Sequence, residues 1–147
     1  MTMRYILGTL VVLGIGTGVG LAEPLITETE AALPSPPDVA MSLRGITRGP
    51  AIEQVQPEEM KPVKSPTLIK IKFTARNNAE IDKDSLKVTY VKSPSVDLTS
   101  RLKAHVKSEG IEMSGAELPP GIHVLRIDVK DTQGRSSTGL VKIAVTK

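Results

Sequence analysis

The stretch that most constrains this chain is 117–135, which reads as turn, strand, turn. Pro120 presets φ at the second position of a type II turn, and Gly121 supplies the positive φ needed at the third. His123, Leu125, Ile127 and Val129 then alternate with Arg126, Asp128 and Lys130, so one set faces a core and the other faces solvent. Asp131 to Gly134 closes the strand with a second turn. A period of two sustained over this length fits a sheet with one buried face and no helix.

The same alternation recurs along residues 50–147. Ala51 to Gln56 reads as an edge strand between Pro50 and Pro57. Residues 58–66, with Pro62 and Pro66, read as a connection. Over 68–76, Ile69, Ile71, Phe73 and Ala75 point inward, and Lys70, Lys72, Thr74 and Arg76 point outward. Asn77 and Asn78 mark a turn. Residues 85–92 form the next strand, with Leu86, Val88 and Tyr90 inward. Val96 and Leu98 begin a short strand that ends in a tight turn by Leu102. Residues 104–107 and 111–113 flank Glu109-Gly110 as a hairpin. The last strand, 138–146, puts Val141, Ile143 and Val145 inward. About seven short strands with no long helical period define an all-β fold, an immunoglobulin-like β-sandwich. The chain has no Cys and no Trp, and Phe73, Tyr5 and Tyr90 are its only aromatic residues. The core is therefore mostly Val, Ile and Leu, with no disulfide framework and no Cys-based metal site.

Residues 1–22 read as a secretory signal peptide. Arg4 gives the positive start, residues 6–21 are apolar or small, and Gly20-Leu21-Ala22 is a cleavage site before Glu23. The competing reading is an uncleaved membrane anchor. Its apolar run is short for a span of about 20 residues, and Gly14, Gly16, Gly18 and Gly20 weaken it as a helix. Both readings export the remainder, to the periplasm or beyond. Residues 23–49, with Pro24, Pro34, Pro36 and Pro37 and no sustained periodicity, read as a flexible Pro-rich linker. Charge divides unevenly. Residues 23–60 hold seven acids and two bases, hence −5, and 61–147 hold sixteen bases and nine acids, hence +7.

Several local sequences in the domain carry a resemblance: Ile81 to Val88, Asp97-Leu98-Thr99 with Arg101-Leu102, Leu118-Pro119-Pro120-Gly121 with His123, and Asp131 with Gly134-Arg135. Together they resemble the bacterial Ig-like domains of small exported proteins, over residues 50–147. These are turns and strand starts, so they speak to fold. The resemblance implies a binding, adhesive or spacer module without catalysis. Tyr90 stands where antibody-type domains carry a core Trp.

The candidate site residues are few. His105 and His123 are the only histidines and could form half a metal site with carboxylates, but His123 falls in phase with Leu125 and Ile127 beside a turn, which reads as a packed or rim histidine. Asp82 and Asp84, with Glu80 beside them and Asp131 in another loop, offer the hard oxygen ligands that Ca²⁺ takes. The ordinary role of such residues is to accept backbone N–H bonds in turns, and no Asp-x-Asp-x-Asp-Gly loop is present. No Gly-x-Ser-x-Gly elbow occurs. The expectation is therefore no enzyme and no cofactor. Lys70, Lys72 and Arg76 share one strand face, a basic patch suited to a protein or an anionic envelope component. A net charge of +3 with almost no aromatic surface argues against nucleic acid. Membrane contact is expected only if residues 1–22 are retained.

Overall fold

The computed structural model describes residues 23–37 and 48–147. The expected signal peptide or anchor at 1–22 lies outside the described residues. The architecture is a β-sandwich of two five-stranded sheets. In the first, β1 (Glu23–Pro24), β8 (Gly110–Glu117), β4 (Thr67–Thr74) and β2 (Ala51–Gln56) lie in that order, and β7 (Val106–Lys107) also pairs with β8. In the second the order is β3 (Pro62–Lys64), β10 (Ser136–Thr146), β9 (Gly121–Asp131), β5 (Ile81–Tyr90) and β6 (Val96–Asp97). Two single-turn helices, α1 (Glu28–Ala31) and α2 (Thr99–Leu102), lie at the margins.

The long hairpin β9–β10 is the backbone of the second sheet, running in unbroken register from Ser136 opposite Lys130 to Val145 opposite Gly121. Gly121 enters β9 at a φ of 133°, a conformation open to glycine. The inward positions are those the alternation predicts: Leu125, Ile127, Val129, Val141, Ile143 and Val145 are buried. Across from them lie Ile69, Ile71 and Phe73 of β4 and Ile111, Met113 and Ala116 of β8, equally buried. Each large apolar side chain among them contributes about 1.5–3 kcal/mol by leaving water. The aliphatic core expected from the composition is what joins the sheets. Asn77 and Asn78 both take positive φ, 54° and 58°, and so turn the chain after β4 as read.

Other boundaries differ from the alternation. β5 starts at Ile81, and between Asp82 and Lys87 its register on β9 slips through a bulge. Ser85 ties that bulge down: its hydroxyl donates to Asp82 O at 2.6 Å and accepts from Lys130 N at 2.8 Å. The supposed connection over 58–66 contains β3, which runs parallel to the end of β10. Between β2 and the hairpin, the Gln54 amide accepts from Lys142 N at 3.1 Å and donates to Lys142 O at 2.9 Å. A side chain thus takes the place of a strand partner where the two sheets meet.

The largest departure lies at the start of the expected linker. Residues 23–37 do not stand off the domain. β1 pairs in parallel with β8, Glu23 opposite Ala116 and Pro24 opposite Glu117. Leu25 and Ile26 follow at 0% and 2% exposure. Two adjacent apolar residues carry no periodicity, which is why composition hid them, yet they supply enough buried area to order a short segment against a ready-made groove. Residues 38–47, the rest of the expected linker apart from Arg48 and Gly49, lie outside the described residues.

Candidate functional site

Asp131 continues the inward phase of β9 and is 1% exposed. Its Oδ1 accepts from Gln133 N at 2.9 Å and Arg135 N at 3.0 Å, and its Oδ2 accepts from Arg135 Nε at 2.8 Å. Burial works to raise this carboxyl's pKa. The bonds from Arg135 and Gln133 outweigh it and hold the group below the ordinary carboxylate range. Asp82 lies across from Lys130, one step along the sheet, and its Oδ1 accepts from Asp84 N at 3.1 Å. The three aspartates come to the same end of the second sheet, but each oxygen just named is spent on a turn. Among the described residues no group of three or more His, Asp or Glu side chains is placed to hold a metal ion.

The histidines separate. His105 ends a 3₁₀ turn, Lys103–His105, next to β7, whereas His123 lies on β9 at 1% exposure. His123 Nε2 is 2.7 Å from Pro119 O. A carbonyl only accepts, so Nε2 carries the proton and Nδ1 is an acceptor. The Tyr90 hydroxyl, 2.9 Å away, therefore donates to Nδ1. Burial, opposed by the Pro119 bond and aided by nearby Lys92, lowers the His123 pKa and keeps the ring neutral. Burial and the charge of Glu30 push the Tyr90 hydroxyl up to about 12. The pair is a bolt between β5, β9 and the Pro119-Pro120 turn. The alternation predicted that both residues point inward, and nothing in it indicated that they bond.

The outward residues of β4 form a polar face of the first sheet. Lys70 and Lys72 are exposed and line a depression of about 230 Å³ together with Lys107, Glu109, Gly110 and Glu112. Lys70 pairs across the strands with Glu112 and Lys72 with Glu53. Lys107 Nζ lies 3.4 Å from Glu112 Oε2. Three ammonium groups and flanking carboxylates thus share this face. Arg76 does not join them. It lies two residues past β4 and borders a different depression with Pro50, Ile52 and Thr138. Sequence spacing placed Lys70 and Lys72 correctly but missed Lys107, because the fold of β7 against β8 brings it there.

One more charged pair escaped the sequence reading. Arg101 of α2 donates to Glu30 of α1 twice, Nη1 to Oε2 at 2.8 Å and Nη2 to Oε1 at 2.6 Å, and Nη1 also donates to Leu25 O at 2.8 Å. The Arg101 bonds lower the Glu30 carboxyl from an ordinary 4.5 to about 2.

No protein-family model matches the chain. No curated protein matches it either. Among solved structures it is similar to the endo-β-1,4-mannanase from Thermotoga petrophila, with a TM-score of 0.45 and 12% identity, over 74% of this chain and 21% of that one. It is also similar to CopC from Methylosinus trichosporium OB3b, with a TM-score of 0.43 and 18% identity, over 65% of this chain and 93% of that one. The chain thus spans about a fifth of the length of the mannanase.

Proposed function

We propose that this chain is a non-catalytic, exported Ig-like module that binds an anionic component of the cell envelope through the outer face of its first sheet. The observation that carries this reading is how the inner chemistry is spent. His123, Tyr90 and Asp131 are each held by structural hydrogen bonds, and no buried side-chain polar atom among the described residues lacks a partner. Recognition then falls to the surface, where Lys70, Lys72 and Lys107 line one depression, Lys107 in an ion pair with Glu112. The Ig-like assignment draws support from strand order: β2-β4-β8-β7 and β5-β9-β10 follow the two sheets of that fold. Export rests on the apolar residues 6–21 and the small residues before Glu23.

The test is co-sedimentation of the protein with anionic phospholipid vesicles at low and moderate salt. Binding should fall as salt rises, since exposed charges are screened beyond roughly 10 Å at 0.1 M. The Lys70→Glu, Lys72→Glu double variant should bind weakly at either salt. Equal binding by the double variant and the parent would remove the first-sheet face from the proposal. Calcium titration separates the other reading, a Ca²⁺ site at Asp82, Asp84 and Asp131: the expected result is no heat and no change in melting temperature.

A further inference from the structure

Within the first sheet β8 has an unusual second edge. Its first two residues, Gly110 and Ile111, are covered by β7, and its last two, Ala116 and Glu117, by β1. The chain's own residues 25–35 run in a groove from the end of β8 past Arg101 of α2 to Lys92 and Ser93 just after β5. Leu25 N donates to Glu117 O at 3.0 Å, and the Leu25 and Ile26 side chains enter the core. Thr27 and Glu30 cap α1 reciprocally, Arg101 grips Glu30 with two bonds, and Ser93 N donates to Pro34 O at 2.8 Å. This is a peptide in a groove: main-chain pairing on a strand edge, two apolar anchors and one charge clamp.

We infer that this groove is an exchange site between copies, in which the arm 23–37 of one chain seats on the sandwich of a second copy. The occupant needs no guessing, because the chain itself supplies a segment that fits. Each contact between arm and groove is the same in cis and in trans. The two arrangements differ in which copy the covalent tether through residues 38–47 leads back to, and ten residues span at most about 36 Å. The balance is then set by chain concentration against the effective concentration the tether gives the arm, on the order of millimolar for short tethers. Exchange of an identical element is a low-cost route to a closed dimer. Isolated chains remain self-seated, and crowding of copies moves the arms across.

Charge inversion at the clamp tests this in the full chain. Glu30→Arg alone sets a second guanidinium against that of Arg101, and Arg101→Glu alone sets two carboxylates against each other. Mixed, the two variants can form a heterodimer in which both clamps join opposite charges, whereas each variant alone meets like charges in cis and in trans. After mild denaturant is added to the mixture and removed, sedimentation should show a heterodimer at concentrations where wild type and either variant alone are monomeric. Should a single variant unfold alone, mixing should restore its fold as it dimerises. A mixture that stays monomeric, or stays unfolded, overturns the proposal. Leu25→Asp added to both variants should abolish the heterodimer. A heterodimer that survives this change would come from another surface, and the arm would not be its cause.

Discussion

Ile127 occupies the middle of β9 at 0% exposure, opposite Val88 on one side and Gly139 on the other. Its neighbour Arg126 is exposed and reaches Asp128, with Nε 3.2 Å from Oδ2. An aspartate in place of Ile127 would bury a charge with no partner, a cost that exceeds the stability of most domains of this size once relaxation fails. Ile127→Asp should therefore unfold the domain, as seen by lost cooperativity in thermal melting. Arg126→Asp removes an exposed pair and should cost within about 1 kcal/mol. If the two changes swapped in severity, the strand would be off by one residue, since a single-residue slip turns every side chain to the other face. His123 shows the same phase logic with a polar group: the alternation puts it inside, and the Pro119 carbonyl then fixes its tautomer.

At the level of elements, legibility in the sequence followed length and alternation. β4 and β9 each alternate in burial over eight residues or more, and β10 over its last seven, and their facing could be read directly. β3 could not: it is three residues long, begins at a proline and exists because the end of β10 offers a parallel edge. β1 and α1 were hidden for a related reason, since neither buries enough alone and both depend on β8 and Arg101. The face of Lys70 and Lys72 was legible from β4 itself. Their carboxylate neighbours were not, because the register of β4 passes through an irregularity on each side, at Thr67 and Ile69 against β8 and at Gln54 and Gln56 of β2. Gln54 is a further case, an ordinary polar residue in sequence whose amide satisfies both backbone groups of Lys142. Gln54→Leu should leave those groups unpaired and cost about 1–3 kcal/mol. The local reading is hydrogen exchange: the Lys142 amide should exchange faster in the variant while amides of β9 change only by the global loss. Unchanged protection at Lys142 would mean that the amide bridge contributes nothing.

Across the whole molecule, three separate sites push stability the same way with pH. His123 is neutral in the folded protein because burial lowers its pKa below the ordinary 6.5. Unfolding lets the ring take a proton more readily, so its contribution is complete above about 6.5 and drains away as pH falls from there towards the folded value. Glu30 and Asp131 are carboxylates with lowered folded pKa values. The contribution of Glu30 is complete above about 4.5 and is lost between there and about 2, while that of Asp131 begins to fail below its ordinary 3.8. The Glu30 side chain is 18% exposed and that of Arg101 33%, so solvent screening holds the net worth of this clamp to about 1–2 kcal/mol. Chemical denaturation across pH should thus show stability flat near neutrality, a first decline below about pH 6.5 and a steeper one below about 4.5. The two limbs belong to different parts of the fold, the Tyr90–His123 bolt inside the sandwich and the clamp that seats the arm. His123→Gln should flatten the first limb, whatever it costs in absolute stability, and leave the second unchanged. Glu30→Gln should reduce the second limb and leave the first. A His123→Gln protein that keeps the decline just below about pH 6.5 would place the titrating group elsewhere, and the neutral histidine between Tyr90 and Pro119 would no longer account for it.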